Sequence, residues 1–289
     1  MAMSHARLSR RSMLRNAAAL TITSLFAGKA CATDRGPKEV RITAKRALAP
    51  LVGSGQPETT VWAFNGTVPG PAIRVKQGER LRVAVENHLT EATTVHHHGI
   101  RLPNAMDGVP HLTQRPIAPG ETFVYEFDVP DAGTYWYHPH INSAEQVGRG
   151  LSGPLIVEER ASIDVDRDVV WVLSDWRLLP DAQISNDFRN MHDMAHNGRV
   201  GNTVTINGKV PDTFSVRTGE RIRLRLINAA NARIFALRFG EHKPLVIAYD
   251  GQPVAPHEPV DGRILLAPAM RTDLILDLDR KSTRLNSSH

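Results

Sequence analysis

The sequence is almost free of cysteine, because its 289 residues contain only Cys31. Beyond that position the chain can form no disulfide and offers no thiolate to a metal ion or to a nucleophilic mechanism. It also has no uninterrupted apolar run of the roughly 18 residues that a membrane-spanning helix needs. These absences exclude a disulfide scaffold and cysteine-based catalysis, and they argue against a stable membrane anchor.

An excess of positive charge is also missing from most of the chain, although the whole sequence has a net charge of +5. Five of the 35 basic residues and none of the 30 acidic residues lie in residues 1–32, which leaves 30 residues of each sign elsewhere. A nucleic-acid-binding surface needs an excess of Lys and Arg within the folded part. The charge balance therefore predicts no nucleic-acid partner.

Residues 1–32 have the organisation of an export signal. The pair Arg10-Arg11 precedes an apolar stretch from Ala17 to Ala27, and the small residues Ala30-Cys31-Ala32 follow. This order is typical of a twin-arginine signal peptide, and the apolar stretch is too short to span a bilayer. We therefore expect export by the Tat machinery, cleavage after residue 32 and a periplasmic location in a bacterium.

Short alternating segments separated by Gly, Pro and Asn indicate an all-β chain built as sandwiches. Residues 81–85 and 122–127 both alternate between apolar and polar side chains. A charged linker, Glu158-Glu159-Arg160, ends the first unit. We expect two units, residues 33–160 and residues 161–280, each with the length of one domain.

An internal repeat indicates that the two units are copies of one domain. Residues 65–69 (NGTVP) recur as residues 207–211 (NGKVP), and residues 78–83 (GERLRV) recur as residues 219–224 (GERIRL). Self-similarity in the same order is the sequence signature of a duplicated structural unit. The repeat therefore predicts the same sandwich twice in tandem.

Two His-x-His pairs, His96/His98 and His138/His140, form the strongest candidate for a chemical site. Residues i and i+2 of a strand point to the same face, so each pair directs two imidazoles the same way. A lone histidine on a strand is usually a surface or packed residue, but two such pairs favour a metal site. Imidazoles without a thiolate favour copper or zinc, and the spacing does not distinguish a single ion from a cluster.

The second unit lacks these pairs. Applying the 141-residue offset of the second repeat block to His96 and His98 gives Leu237 and Phe239, so we expect a structural domain without copper. One segment of this unit, Met191 to His196, combines two thioethers with two imidazoles, a donor set that can hold Cu(I). A flexible linker of mixed composition is the alternative interpretation of that segment.

The surroundings of the histidine pairs resemble the first copper-binding domain of laccase-like multicopper oxidases. The resemblance rests on residues 96–110 (HHHGIRLPNAMDGVP) and residues 133–140 (GTYWYHPH). His97 stands where the family usually has Trp, and we expect its side chain on the opposite side of the strand from His96 and His98. The resemblance implies two tandem cupredoxin-like Greek-key β-sandwich domains.

The resemblance also implies roles for five residues. His96 would be a ligand of a type 2 copper, and His98, His138 and His140 would be ligands of a binuclear type 3 copper pair. Asp107 matches a position where many members carry an acid thought to relay protons, although a lone Asp in such a loop is often only a turn former. An intact member would couple one-electron oxidation of a small reducing substrate, such as a phenol or a metal ion, to reduction of dioxygen to water.

Two further copper motifs of the family are absent from this sequence. They are the His-x-x-His-x-His motif that completes the trinuclear cluster and the His-Cys-His motif of the type 1 copper, both in a third domain. Residues 281–289 (KSTRLNSSH) resemble a non-native tail, so we expect a truncated oxidase with half of the cluster ligands and no turnover by itself. The alternatives are a periplasmic copper- or zinc-binding module and a copper-free cupredoxin scaffold.

Overall fold

The computed structural model describes residues 36–278 and the backbone of residues 284–285. Nearly all of its regular structure is β, which confirms the predicted fold class. The expected signal peptide, residues 1–32, lies outside the described residues, as does most of the expected tail. Within the described part, no helix is long and apolar enough to cross a membrane.

Eight strands from the first half of the described chain form two four-stranded sheets. They are β1 (Lys38–Ala49), β2 (Thr59–Phe64), β3 (Ile73–Lys76), β4 (Arg80–Asn87), β5 (His96–His98), β6 (Thr122–Asp128), β7 (Gly133–His138) and β8 (Gly153–Glu158). The strand orders are β2-β1-β4-β6 and β3-β8-β7-β5. Strand β4 alternates as predicted, because Leu81, Val83 and Val85 are buried and the residues between them are partly exposed. One α-helix, α1 (Ser143–Gly148), and a 3-10 turn (Asn104–Met106) complete this part.

Ten strands follow in the second half. They are β9 (Arg167–Trp176), β10 (Thr203–Ile206), β11 (Phe214–Ser215), β12 (Arg221–Asn228), β13 (Phe235–Leu237), β14 (Leu245–Tyr249), β15 (Gln252–His257), β16 (Ile264–Leu266), β17 (Arg271–Asp277) and β18 (Arg284–Leu285). Six of them form a sheet with the order β10-β9-β12-β17-β14-β15, and β13-β16 and β11-β18 are separate pairs. Strand β18 lies within the segment predicted to be a non-native tail, and it pairs with β11. The second half also holds α2 (Met191–Ala195) and a 3-10 turn (Val260–Gly262).

The sequence repeat has the same structure in both halves. Asn65 and Asn207 both adopt a left-handed backbone conformation, with φ of 54° and 51°. Their side-chain oxygens accept equivalent backbone hydrogen bonds, from Thr43 N at 2.7 Å and from Val172 N at 2.9 Å. Strands β1 and β4 pair in parallel, as do β9 and β12. The two halves therefore share the same turn and the same parallel strand pairing.

The register predicted between the two copies is wrong by one residue beyond β4 and β12. The Asn87 side chain donates to the carbonyl oxygen of a residue four positions later, whereas the equivalent Asn228 donates to one five positions later. The second copy therefore has one additional residue at this point. The structural counterparts of His96 and His98 are Arg238 and Gly240, rather than Leu237 and Phe239. Neither residue type is a usual copper ligand.

Each half has its own apolar core, and both faces of strand β12 in the second half are buried. One face contributes Leu224 and Leu226 to the second core. The other face lies against strand β7, where Ile227 packs with Trp136 in a small separate cluster. The second half therefore supports the strand that carries His138.

Candidate metal centre

The four predicted ligands lie on two neighbouring strands. Strands β5 and β7 pair antiparallel, with His96 opposite His138 and His98 opposite Trp136. His140 follows β7 by two residues, and its backbone N–H donates to the Thr94 hydroxyl at 3.1 Å. The alternation of strand side chains directs His96 and His98 to one face, where the second pair meets them.

The four imidazoles converge on one space. The His96 ring centroid lies 5.4 Å from that of His98, 5.5 Å from that of His138 and 4.5 Å from that of His140. One nitrogen from each of His96, His138 and His140 lies within 4.8 Å of the others. The fourth ring joins through His98 Nδ1, which lies 3.2 Å from His138 Nε2.

These separations fit ligands of transition-metal ions. Imidazole nitrogen lies about 2 Å from such a metal, so two nitrogens on one ion are roughly 3–4 Å apart. The 3.2 Å separation between His98 and His138 falls in this range. The 4.8 Å limit for the nitrogens of His96, His138 and His140 fits a shared ion after a small contraction, or adjacent ions. The donor set present therefore suits copper or zinc.

Burial keeps three of the imidazoles, those of His98, His138 and His140, in the neutral form that binds metals. Desolvation, assisted by the neighbouring Arg271 and His96, lowers the pKa of His98 to about 4. Desolvation also lowers the pKa of His138 well below its usual value, and that of His140 to a smaller extent. At neutral pH each of these rings has a lone pair available for a metal ion.

Asp107 lies beside the first ligand. Its backbone oxygen is 2.8 Å from His96 Nδ1, and its carboxylate is 3.2 Å from the same nitrogen. Gly108 allows this approach, because a Cβ there would lie 2.0 Å from the Val95 carbonyl oxygen and because its φ is +78°. The loop thus fixes the orientation of the His96 ring and places a partly exposed carboxylate next to it.

His97 points away from the centre, as predicted. Its side chain is fully buried among core aromatic residues, 5.2 Å from the Tyr125 ring and 4.8 Å from the Phe127 ring. Neither of its ring nitrogens has a hydrogen-bond partner among the residues that the structure describes. Burial lowers the pKa of His97 to about 3, so the ring is neutral.

Two residues of the site were not predicted from the sequence. The Trp136 ring stacks on His138, with centroids 4.1 Å apart and an interplanar angle of 21°. Trp136 lies two residues before His138 on the same strand, so the period of two could have identified it. Arg271, which comes from strand β17 and influences the pKa of His98, has no such signal in the sequence.

The segment from Met191 to His196 forms α2 and the residue after it. The His192 and His196 rings stack with centroids 4.4 Å apart. Met191 and Met194 are 73% and 71% exposed, so both thioethers face solvent. The structure brings the two imidazoles together, and Cu(I) binding by this segment stays a prediction.

Comparisons with known proteins show the family of this chain. Two profiles of the multicopper oxidase family match the chain, over residues 49–162 and residues 167–284. Copper resistance protein A of Pseudomonas syringae pv. tomato is 35% identical in an alignment of 253 residues that covers 72% of this chain and 41% of that protein. Multicopper oxidase MmcO of Mycobacterium tuberculosis is 33% identical, with 77% of this chain and 49% of that protein covered. The chain thus spans less than half the length of these two relatives.

Solved structures extend the likeness to the fold. A multi-copper oxidase from Pseudomonas thermotolerans superposes with a TM-score of 0.81 at 37% identity, covering 85% of this chain and 59% of that chain. A blue copper oxidase from Nitrosomonas europaea superposes with a TM-score of 0.73 at 35% identity, covering 84% and 76%. These likenesses confirm the predicted cupredoxin-like sandwiches. The chain belongs to the multicopper oxidase family.

Proposed function

We propose that this chain supplies half of the ligands of a trinuclear copper centre in a multicopper oxidase. His96 would bind the type 2 copper, and His98, His138 and His140 would bind the type 3 pair. The observation that carries the proposal is the convergence of four imidazoles from β5, β7 and the residues after β7. Copper held there would supply the one-electron transfers by which the family reduces dioxygen to water.

The residues around the ligands have separate tasks in this proposal. Trp136 packs against the rings of His98 and His138, which restricts their rotation and excludes water from one side of the centre. The His138 ring is held from the other direction by contact of its Nδ1 with the Pro139 carbonyl oxygen at 3.0 Å. Holding the Nδ1 side of the His138 ring in this way leaves its Nε2 available to a metal ion.

Asp107 is proposed to hold and deliver protons during dioxygen reduction. Its carboxylate contacts His96 at 3.2 Å, and 34% of the side chain remains exposed. A carboxylate with one side at the metal ligands and the other in solvent can take up a proton from water and release it towards the centre. In the intact oxidase, Asp107→Asn should therefore leave copper content unchanged and slow oxygen uptake at least tenfold. An unchanged rate would remove this role.

The intact protein is proposed to oxidise a small reductant and to work in the periplasm of a bacterium. Relatives include proteins named copper resistance protein A and laccase, so metal ions and phenols are the substrate classes that we propose. The twin-arginine pattern at Arg10-Arg11 supports export by the Tat machinery. No nucleic-acid partner is proposed, because residues 33–289 carry equal numbers of acidic and basic side chains.

A second candidate function is a copper- or zinc-binding module without oxidase activity. It is favoured by one observation, that three ring nitrogens already lie within 4.8 Å of one another on this chain alone. Metal stoichiometry separates the candidates, because a module would hold a single ion of either metal. A copper-free scaffold would hold none.

The test is titration of the purified chain with Cu(II), followed by metal analysis and electron paramagnetic resonance. We expect His138→Asn to weaken copper binding at least tenfold, because its ring is buried at the middle of the set. The matched control is His88→Asn, on the same sandwich, whose side chain is 57% exposed and lies near Glu86. Equal copper binding by the unmodified chain and the His138 variant would contradict the proposal.

A further inference from the structure

Arg271 reaches from the second sandwich to the metal-binding strands of the first. It opens strand β17, and only 4% of the residue is exposed. Its Nε donates to the Thr134 carbonyl oxygen at 3.2 Å, its Nη2 to the Asp250 carbonyl oxygen at 2.9 Å and its Nη1 to the Ala269 carbonyl oxygen at 3.1 Å. Because the guanidinium donors have a rigid planar arrangement, contacts with three chain segments hold the group in one place.

The fixed guanidinium lies against the residue that follows His98. A Cβ added at Gly99 would be 2.4 Å from Arg271 Nη2 and 3.1 Å from a ring carbon of Tyr135. Gly99 also has a φ of +87°, a backbone conformation that residues with a side chain rarely adopt. A guanidinium group can usually move to make room for a new side chain, but the hydrogen bonds of Arg271 to three carbonyl oxygens hold this one in place. The backbone at Gly99 is therefore in direct contact with Arg271.

The same guanidinium contacts both metal-binding strands. It packs on Gly99, directly after β5, and it binds Thr134 in β7, four residues before His138. A second contact presses β7 on the same side, since a Cβ at Gly133 would lie 2.7 Å from the Gly251 carbonyl oxygen. Groups from the second sandwich thus contact both ligand strands at this end.

We propose that Arg271 is a positioning residue for the metal centre. It fixes the turn at Gly99 and the start of β7, and thereby the directions in which His98 and His138 present their ring nitrogens. The inference rests on the proposed copper function and adds a residue that binds no metal itself. It assigns the second sandwich a part in setting the geometry of the ligands.

The test compares Arg271→Met with the unmodified chain in competition titrations with Cu(II). Methionine keeps most of the apolar bulk and removes all five donors. We expect copper binding 10- to 100-fold weaker, the range found when groups that orient metal ligands are removed. The hyperfine pattern of the bound Cu(II) in electron paramagnetic resonance should change as well, because it reports ligand directions.

A matched variant separates positioning from general stability. Leu276→Ala, also on β17, removes a side chain that is 1% exposed in the second core and has no place among the metal-binding strands. It should lower the melting temperature at least as much as Arg271→Met and leave the copper affinity and spectrum unchanged. Arg271→Lys, which keeps the charge and loses the planar arrangement, should bind copper with intermediate affinity and serves if the methionine variant does not fold.

A double-mutant cycle tests the contact itself. Gly99→Ala should weaken copper binding strongly in the unmodified chain and less strongly in the Arg271→Met background, because the clash with Nη2 is then gone. Additive effects, or equal affinities and spectra for the unmodified chain and Arg271→Met, would overturn the positioning role and leave the copper function standing. Failure of the unmodified chain to bind copper would instead overturn the proposed function, and this inference with it.

Discussion

Asp273 offers the sharpest test of how the two sandwiches are joined. Its carboxylate is 1% exposed and accepts hydrogen bonds from Thr134 Oγ1 at 2.6 Å, Arg223 Nη2 at 2.7 Å and Arg225 Nη1 at 3.3 Å. Both arginines are also nearly inaccessible. Asp273→Asn keeps the shape of the side chain and removes its charge. It also replaces one acceptor oxygen by an NH2 group, which would face groups that are themselves hydrogen-bond donors.

The expected loss follows from the burial of the partners. Arg225 keeps its contacts with Asp168, and Arg223 keeps one with Glu159. The negative charge of Asp273, which contacts both arginines, would nevertheless be missing. Removing one partner of a buried ion pair costs about 3–5 kcal/mol, because the remaining charge has no water to compensate it. This is a large share of the roughly 5–15 kcal/mol that stabilises a typical domain.

The assay is urea unfolding followed by tryptophan fluorescence and by circular dichroism. Coincident curves would justify a single free energy of unfolding from linear extrapolation. The control is Asp128→Asn on β6, which pairs with Arg80 at 3.0 Å and has a side chain that is 66% exposed. We expect no measurable loss from this control, because water already solvates both charges. The reasoning fails if Asp273→Asn is no more destabilising than the control.

Three further predictions concern the first sandwich and its repeat. His97→Phe should stabilise the chain by about 1–3 kcal/mol in urea unfolding at pH 7, because two unpartnered ring nitrogens leave the core. The gain should grow below pH 6.5, because burial lowers the pKa of His97 to about 3 in the native state. In the unmodified chain, the unfolded state then takes up a proton on His97 that the native state does not, and this destabilises the native state. A gain that stays constant with pH would contradict this. Asn87→Ala and Asn228→Ala should each cost about 3 kcal/mol in the same assay, because each side chain makes three hydrogen bonds with backbone groups, and unequal losses would argue against equivalent roles. Gly108→Ala should weaken copper binding in titration by displacing the Asp107 loop from Val95, and unchanged affinity would refute that.

The convergence of the four histidines was predictable because it depends on local rules. In β5, His96 and His98 share a face for the same reason that His97 enters the core, and the pairing with β7 brings His138 opposite His96. The turn residues Asn65 and Asn207 were recognisable as a repeat because each must adopt a positive φ. Patterns of this kind depend on residues that are close in sequence, so they can be recognised without the tertiary structure.

The register of the second copy was not predictable in the same way. One additional residue after Asn228 lies in a segment where apolar and small side chains alternate irregularly, so the insertion leaves no periodic signal. One nitrogen from each of His96, His138 and His140 lies within 4.8 Å of the others, which fits one ion or adjacent ions, so the assignment of His96 to a separate copper stays a prediction. Local patterns point to candidate ligands more readily than they assign each candidate to an ion.

The part played by the second sandwich could not be inferred from sequence, since its contacts join residues far apart in the chain. Thr134 meets Arg271 across 137 residues and Asp273 across 139 residues. Both contacts fall on β7, the strand that carries His138, and both come from β17, which holds no predicted ligand. Strand β17 of the second sandwich therefore contacts the strand that carries the candidate ligand His138. If Arg271 positions the candidate ligands as proposed, variants in β17 should alter copper binding according to whether they touch β7, and not according to how much stability they remove.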